Sequence, residues 1–263
     1  MDRPTPAAAG ATVRDPAAWP RADLRWERGS GGPAGAAADG RWVVGAAGDA
    51  PWAVDAGPFR LELRPTTSGQ VGCYPEQVVL WRALADLAVD GGSRVLNLFA
   101  HTGGASLAAA GTGAAVTHVD AARTAVAWAR RNAALSSLSD APVRWIVDDA
   151  AVFAARELRR GRHYDAVVID PPAYGHGPAG RRWELAVDLP GLLETCVALG
   201  GPSGPQALIL STHAPDVGPA EASAWVRSAW PGLAPRRLGA WPLGLEALDG
   251  RVLPAGAWVL VGP

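Results

Sequence analysis

The stretch 95–104, VLNLFAHTGG, constrains the fold of this chain more than any other. Four largely apolar residues run into a short polar turn and a glycine pair, and the Ala-rich segment 105–110 follows directly. The pattern predicts a buried strand, a tight loop and the first turn of a helix. Glycine lets a loop at the carboxyl end of a parallel strand approach a ligand closely, although a purely structural turn has the same pattern.

Apolar strand patterns alternate with helical patterns over most of the chain. The predicted strands are 94–98, 115–119, 143–147, 164–169 and 206–210, and the predicted helices are 78–88, 103–110, 121–134, 149–160, 189–199 and 219–229. Strands separated by helices indicate an α/β fold with a parallel, doubly wound sheet. Two C-terminal segments, 235–243 and 257–261, are expected to close the sheet as a final pair joined by the hairpin 244–256.

The chain before this alternation has a different character. Residues 1–18 and 29–40 are rich in Pro, Ala and Gly and are expected to be disordered. Short runs with Trp and alternating apolar residues predict a small antiparallel β appendage over 19–67, ahead of a main domain at 68–263. Four Trp residues form either the miniature core of this appendage or a substrate surface, namely Trp19, Trp26, Trp42 and Trp52.

Charge and cysteine content exclude several classes of protein. The 263 residues carry 24 basic residues, all of them Arg, and 25 acidic residues, so nucleic-acid binding would need a local Arg patch. Cys73 and Cys196 are too few for a disulfide framework or a zinc site, which favours a reducing cytoplasm and no bound metal. The sequence has no apolar stretch of about 18 residues, so a membrane span is not expected.

Acidic residues end two consecutive predicted strands. Asp120 closes VTHVD, where a carboxylate can accept hydrogen bonds from both hydroxyls of a ribose, and the alternative is an N-cap of the next helix. Asp149 in VDDA can accept from an adenine amino group, with the Ala150 amide near a ring nitrogen. The alternative there is helix capping by Asp148 or by Asp149 itself.

The fourth predicted strand ends in 170–174, DPPAY. Its two prolines fix an extended loop without backbone donors, which leaves the Asp170 carboxylate as a polar group facing the pocket. Such a group can hold or deprotonate a substrate amine, and Tyr174 can stack on a planar ring. The alternative is an ordinary Pro-rich turn with a surface Tyr.

The segments VLNLFAHTGGASLAAA, VTHVD, VDDA and DPPAYGHGP, in this order and spacing, resemble the class I S-adenosylmethionine-dependent methyltransferases. More narrowly, SGQVGCYPEQ and LDGRVLPAGA resemble the family of large-subunit rRNA methyltransferases of the cytosine-5 type and its short bacterial relatives. The resemblance implies a Rossmann-like, mostly parallel seven-stranded sheet and S-adenosylmethionine as cofactor. It implies that the methionine part of the cofactor is lined by Asn97, Ala100, Thr102 and Gly103. It also implies that Asp120 binds the ribose and Asp149 the adenine. Asp170 and Pro171 would flank the transferred methyl group, and Gln77 would face the cofactor.

The chain departs from the cytosine-5 pattern in the turn after strand five. Family members that methylate a cytosine carbon carry a Cys there, whereas this chain has 211–215, STHAP. Covalent attack on a pyrimidine needs a thiolate, and neither Cys196, in a predicted helix, nor Cys73 is an obvious replacement. His213 is either a general base in its place or a histidine satisfied at a strand end.

These features favour methyl transfer to a nitrogen of a planar heterocycle, with Asp170 polarising the acceptor and Tyr174 stacking on it. A base in RNA, as in rRNA, would have to be flipped out of its stack. Two groups of arginines are expected to contact phosphate: Arg181 and Arg182 in a flexible loop over 175–182, and the cluster Arg156, Arg159, Arg160 and Arg162. The alternative is that both groups are solvated basic faces. The alternatives are methylation of a planar small molecule and a cofactor-binding scaffold without catalysis.

Overall fold

The computed structural model describes residues 24–28, 40–45, 50–87, 92–176, 182–247 and 250–262. The expectations for 1–18, Trp19, 29–39 and Arg181 lie outside these residues. The strands, in chain order, are β1 Leu24–Arg28, β2 Gly40–Val44, β3 Trp52–Asp55, β4 Arg60–Leu63, β5 Arg94–Leu98, β6 Ala115–Asp120, β7 Val143–Val147, β8 Ala166–Ile169, β9 Tyr174–His176, β10 Arg182–Glu184, β11 Ala207–Thr212, β12 Leu238–Glu246 and β13 Val252–Val261. The α-helices are α1 Val78–Leu87, α2 Gly104–Ala110, α3 Arg123–Leu135, α4 Ala150–Arg159, α5 Leu185–Leu199 and α6 Pro219–Ala229, and short 3₁₀ helices lie at Pro75–Gln77 and Pro235–Arg237.

Seven strands form the central sheet, in the spatial order β12–β13–β11–β8–β5–β6–β7. The strands from β11 to β7 are parallel, and β13 runs antiparallel to both of its neighbours. The prediction of a mostly parallel, Rossmann-like sheet closed by a C-terminal pair is therefore confirmed. Strands β8 and β11 are buried along their whole length, as expected where helices cover both faces of a parallel sheet.

Each face of the sheet has its own apolar core. On one face, helices α4, α5 and α6 pack through side chains such as Phe153, Leu193 and Val226. On the other face, helices α1 and α2 pack through side chains such as Leu84 and Ala109. Because successive side chains of a strand point to opposite faces, each central strand contributes to both cores.

Two helices begin two or more residues away from their predicted starts. Helix α3 starts at Arg123 because Ala122 keeps an extended backbone and donates its N–H to Asp120 at 2.8 Å. Helix α5 starts at Leu185, with Pro190 inside it, because the Asp188 carboxylate accepts the Glu184 N–H at 2.8 Å and supports an earlier start. The prediction of a flexible loop over 175–182 is wrong for the two described ends of this segment, which pair as strands β9 and β10.

Two antiparallel hairpins, β1–β2 and β3–β4, precede the central sheet. Strand β4 lies along helix α3, where the Glu62 N–H donates to Asn132 Oδ1 at 2.8 Å and the Trp128 indole donates to the Glu62 carbonyl at 3.0 Å. Trp26 and Trp42 pack edge to face, with ring centroids 5.3 Å apart. These two Trp residues match the prediction of a miniature core, whereas Trp52 is exposed.

Two kinds of feature are absent from the described residues. No helix in these parts of the chain is long and apolar enough to cross a membrane. The same residues contain no group of three His, Cys, Asp or Glu side chains arranged to hold a metal ion.

Candidate active site

The loop between β5 and α2 has a strained backbone. Phe99 and His101 adopt positive φ angles of 57° and 48°, and Gly103 has φ of 95°. The loop is nonetheless well held, because Ala100 N–H donates to the Val119 carbonyl and Gly103 N–H donates to the Ala100 carbonyl, each at 3.0 Å. Backbone strain of this kind persists where surrounding contacts enforce it, and it concentrates at ligand-binding sites.

The glycine pair lets this loop lie directly on two helices. A Cβ added to Gly104 would overlap the Trp81 ring of helix α1, and one added to Gly103 would lie 3.0 Å from Cβ of Ala129 in helix α3. The sequence pattern suggests that glycine allows a ligand to approach this loop closely. The structure shows a second reason for glycine at these positions, which is the close packing of the two helices behind the loop.

Thr102 ties the loop to the segments before the main sheet. Its hydroxyl donates to the Gly72 carbonyl at 2.6 Å, and its own carbonyl accepts from Asn132 Nδ2 at 2.9 Å. Asn132 is fully buried and also accepts the Glu62 N–H, so one amide joins strand β4, helix α3 and the loop. Sequence reasoning missed Asn132, because its partners lie 30 and 70 residues away in the chain.

Asp120 lies at the end of β6, beside the loop. Its Oδ2 accepts the His101 N–H at 2.7 Å, and its Oδ1 accepts the Ala122 N–H at 2.8 Å. A carboxylate offers about four lone-pair positions, so each oxygen can accept one further hydrogen bond. Asp120 thus fixes the loop and can also receive two hydroxyl groups of a ligand.

Asp149 lies at the end of β7 and caps helix α4. Its Oδ1 accepts from Ala151 N–H at 2.9 Å and from Val152 N–H at 3.0 Å. The capping alternative is therefore confirmed for Asp149, whereas Asp148 pairs with Arg156 at 2.6 Å. A role of Asp149 and of the buried Ala150 in adenine binding stays a prediction, and it is compatible with the cap.

Asp170, at the end of β8, is the centre of a polar cluster. Its Oδ1 accepts the Ser211 hydroxyl at 2.7 Å and lies 3.0 Å from Nε2 of His213. The side-chain amide nitrogen of Gln77 lies 3.1 Å from Nε2 of His213. The structure thus brings together three residues singled out in the sequence and adds Ser211, which lies in the STHAP turn but was not singled out there.

His213 lies between Asp170 and strand β13. Nδ1 of His213 lies 2.7 Å from the Ala255 carbonyl, which can only accept, so Nδ1 carries a hydrogen. Nε2 lies within hydrogen-bond distance of both Asp170 Oδ1, at 3.0 Å, and the side-chain amide nitrogen of Gln77, at 3.1 Å. Asp170 and His213 thus form a close pair of two groups that can each bind a proton.

Strand β13 supplies the carbonyl that orients His213. Gly256 follows Ala255 with φ of 134°, and a Cβ there would overlap the Thr212 carbonyl. Only glycine allows β13 to pass this close to the end of β11. The segment LDGRVLPAGA was noted in the sequence for its resemblance alone, and the structure explains why its second glycine, Gly256, is needed.

Tyr174 follows Asp170 by four residues in the chain. It starts strand β9 and is 73% exposed. The preceding loop is anchored, because Pro171 is buried and the Trp183 indole donates to the Pro172 carbonyl at 2.8 Å. Tyr174 is thus a surface residue on a supported loop, and stacking on a substrate ring stays a prediction.

Neither cysteine is placed to act as a nucleophile. Burial, together with the charge of Glu76, raises the pKa of Cys73 to about 11. Cys196 is completely buried, and this burial raises the pKa of its thiol far above its usual range. The thiolate that covalent pyrimidine chemistry needs is therefore not available from either residue.

A buried chain of polar groups runs beneath the loop. Asn97 donates from Nδ2 to Ser106 Oγ at 2.9 Å, and Ser106 Oγ contacts His118 Nδ1 at 2.9 Å. Nε2 of His118 has no hydrogen-bond partner among the residues that the structure describes. Burial and the nearby His101 lower the pKa of His118 to about 3, so this ring stays neutral. Asn97 is the first member of this hydrogen-bonded series. Its expected position along the cofactor stays a prediction.

The neutrality of His118 makes stability depend on pH. The unfolded chain binds a proton at this histidine below pH 6.5, whereas the folded chain does so only near pH 3, so the free energy of unfolding falls as the pH drops through this window. We expect a loss of about 1.4 kcal/mol per pH unit from this residue alone. Urea unfolding of His118→Gln between pH 6.5 and 4.5 should show a correspondingly smaller slope, whereas His163→Gln, at an exposed histidine, should keep the wild-type slope. Equal slopes in all three proteins would contradict the assignment.

The strand order and the position of the loop define the class of this protein. The central sheet, with one reversed strand next to its edge, has the architecture of the Rossmann-like methyltransferase fold. The sequence profile of the S-adenosylmethionine-dependent methyltransferase family matches residues 33–221, and the chain belongs to this family.

Individual relatives agree with this assignment. A solved S-adenosylmethionine-dependent methyltransferase from Agrobacterium tumefaciens is 33% identical, with a TM-score of 0.84 over 96% of this chain and 80% of that one. A methyltransferase solved in complex with S-adenosylhomocysteine, SMU.776, shares the fold at 20% identity and a TM-score of 0.70, over 84% of this chain and 58% of that one.

Two curated relatives are ribosomal RNA large subunit methyltransferases K/L. The protein from Hahella chejuensis is 36% identical over 118 residues and that from Shewanella sp. strain MR-4 is 37% identical over 126 residues. Each alignment covers 43% of this chain and 16% of the relative, so the similarity reaches only a small part of those proteins.

The residues present fit the cofactor of this family. S-adenosylmethionine offers ribose hydroxyls and amino groups as donors, and the edge of the sheet offers acceptors in Asp120, Asp149 and Asp170 at the ends of three strands. Asp120 keeps acceptor capacity on both oxygens. The positive-φ loop lies beside Asp120, whose carboxylate accepts the His101 N–H.

Proposed function

We propose that this methyltransferase transfers the methyl group to a ring or amino nitrogen of a base in RNA, with rRNA as the substrate class. The observation that carries the proposal is the close pair of Asp170 and His213 at the end of β8, in a protein whose two cysteines are buried. A nitrogen acceptor that bears hydrogen must lose it on methylation, and such a pair can receive it. The names of the curated relatives support RNA as the substrate.

The cofactor would be held along the edge of the sheet. Asp120 would accept from the ribose hydroxyls and Asp149 from the adenine amino group, with the Ala150 amide near the ring. The methionine part would lie against the loop residues Asn97, Ala100, Thr102 and Gly103, with Gln77 and Pro171 at the methyl end. When bound, S-adenosylmethionine supplies a methyl group that its sulfonium already activates.

The residues of the chain then align the acceptor and move its proton. Ser211 and His213 fix the Asp170 carboxylate, which would orient the acceptor nitrogen through its hydrogen. The proton would pass to the Asp170–His213 pair, whose side chains are 25% and 15% exposed and can return it to solvent. Ala255 would keep His213 in one orientation throughout.

Substrate recognition would use the surface beside this cluster. Tyr174 is 73% exposed and could stack on a flipped base, and Arg182 is exposed on the neighbouring strand β10. Of the second arginine cluster, Arg156 and Arg160 pair with acidic residues of the protein, which reduces their value for phosphate binding. Action on rRNA would place the protein in the cytoplasm, with residues 68–263 as the catalytic domain.

Labelled S-adenosylmethionine tests the proposal directly. The protein is incubated with total rRNA, ribosomal subunits and a metabolite extract in parallel. We expect the label in RNA, and nuclease digestion should yield a nucleoside methylated on nitrogen. The variant Cys73→Ala/Cys196→Ala should keep at least about half of the wild-type rate below its unfolding temperature, because catalytic cysteines are needed only for covalent attack.

Three results would overturn parts of this proposal. Label confined to the metabolite fraction would favour methylation of a planar small molecule. Label on carbon 5 of a pyrimidine, or loss of activity in a folded cysteine-free variant, would reinstate a thiolate mechanism. Binding of S-adenosylmethionine without label in any fraction would indicate a scaffold.

A further inference from the structure

A cavity lies at the opposite edge of the central sheet from Asp120, Asp149 and Asp170. Its volume is about 380 Å³, and it is lined by residues at or near the amino ends of β5 to β8. The charged and polar lining comprises Arg94, Thr117, Arg144, Arg162, His163 and Tyr164. This volume falls within the range of small-ligand sites, about 300–1,000 Å³. The cavity is therefore large enough to be a binding site. Its lining includes none of the residues assigned to methyl transfer.

Basic groups dominate the rim of this cavity. Arg94 and Arg162 are exposed, and neither side chain forms an ion pair with any residue that the structure describes. Arg144 contributes a third guanidinium, which reaches Glu157 at 3.4 Å and is half exposed. His163, also exposed, adds an imidazole. Such a concentration of donors without matching acids favours an anionic ligand.

The acidic groups near the cavity are already engaged. Glu157 is almost fully buried and accepts the Tyr164 hydroxyl at 2.8 Å, besides pairing with Arg144 and Arg160. Burial opposes its ionisation, but these hydrogen bonds outweigh that effect and hold the pKa of Glu157 below its usual value. Asp165 accepts the Arg94 backbone N–H at 2.7 Å. Neither carboxylate is thus arranged to neutralise the guanidinium groups of Arg94 and Arg162.

We propose that this cavity binds a phosphate group, with the Arg94 and Arg162 guanidinium groups as the main contacts and Arg144 and His163 at the rim. Guanidinium groups match phosphate geometry through paired hydrogen bonds and remain charged at all relevant pH values. The phosphate belongs either to the backbone of an RNA substrate or to a free phosphate compound. The first source rests on the proposed RNA function, and the second does not.

The position of the cavity separates its role from catalysis. A parallel strand rises about 3.3 Å per residue, so the five residues of β5 place the two edges of the sheet roughly 15 Å apart. A ligand in this cavity would therefore leave the cofactor loop accessible. An RNA backbone held here would instead anchor a substrate whose reactive base lies elsewhere.

The test compares two double variants with the same change in charge. Arg94→Ala/Arg162→Ala removes the two main contacts, whereas Arg130→Ala/Arg227→Ala removes two exposed arginines from helices α3 and α6. Calorimetric titration uses inorganic pyrophosphate, with S-adenosylhomocysteine present to fill the methyl-transfer site. We expect saturable binding to the wild type, at least tenfold weaker binding to the first variant, and an unchanged affinity in the control. Retained S-adenosylhomocysteine affinity verifies that both variants are folded.

A second arm uses rRNA in place of pyrophosphate, over a series of salt concentrations. Loss of one or two backbone contacts should reduce the slope of log affinity against log salt by about 0.7–1.8. An effect of Arg94→Ala/Arg162→Ala on RNA identifies the backbone as the source, and an effect on pyrophosphate alone identifies a free phosphate compound. The proposal is overturned if neither probe distinguishes this variant from the control. Label transfer to RNA by the wild type is scored separately, so failure of the proposed function stays distinguishable.

Discussion

Replacement of Asp170 by Asn is expected to lower kcat for methyl transfer by about 10²–10⁴, the range typical for loss of an acid–base group. The substitution keeps the shape of the side chain but removes the carboxylate whose Oδ1 lies 3.0 Å from Nε2 of His213. Because Asp170 is assigned to the acceptor and not to the ribose or adenine, the affinity for S-adenosylhomocysteine should change only a few-fold. Single-turnover rates with labelled cofactor, alongside calorimetric titration, separate the two effects.

Two companion variants sharpen this experiment. Asp216→Asn makes the same change at an exposed aspartate three residues after His213 and should retain the wild-type rate. His213→Gln should lower kcat as well, and the double variant Asp170→Asn/His213→Gln should be little worse than the poorer single variant, since two residues that act as a unit are not additive. Strictly additive losses, or full activity of Asp170→Asn, would refute a shared proton-handling role.

Replacement of Asp120 by Ala is expected to weaken binding of S-adenosylhomocysteine by about 10²–10⁴-fold. The carboxylate would lose two hydrogen bonds to ribose hydroxyls, and hydrogen bonds to a charged group contribute about 1.5–3 kcal/mol each. The loop would also lose its attachment, because both oxygens of Asp120 accept backbone N–H groups, from His101 and Ala122. Calorimetric titration of the folded variant measures the change.

A graded series distinguishes ligand binding from loop support. Asp120→Asn keeps one oxygen acceptor and should fall between the wild type and Asp120→Ala. Asp140→Ala, at an exposed aspartate before β7, should bind S-adenosylhomocysteine like the wild type. If Asp120→Ala bound the ligand with unchanged affinity, the assignment of the ribose to the end of β6 would be wrong.

The parts of the fold that follow from local patterns were predictable from the sequence. Apolar runs of four to six residues between helical patterns are enough to indicate the strands, and parallel strands place their carboxyl ends at one edge. Asp120, Asp149 and Asp170 could therefore be assigned to a common edge. The helix-capping alternative for Asp149 was also foreseeable, because an Asp before a helix has that use independently of any ligand.

The contacts that complete the site were not predictable in this way. Asn132 lies in the middle of a helical pattern, and its amide meets strand β4 and the glycine loop only through tertiary packing. The Ala255 carbonyl meets His213 because β13 inserts between β11 and β12, which a linear pattern does not specify. The early start of α5 depends on the Asp188 carboxylate and on β10, against the usual preference that places Pro190 in the first turn.

The insertion of β13 between β11 and β12 has a consequence for the newly made protein. A polypeptide emerges from the ribosome in chain order, and the loop after β5 and the three strand-end acids are synthesised well before residues 252–261. Until those residues emerge, β11 lacks its outer neighbour and the imidazole of His213 lacks the partner that fixes its tautomer. With the roles proposed for these residues, a nascent chain would acquire the cofactor-binding edge during translation, while competence for methyl transfer would wait for β13.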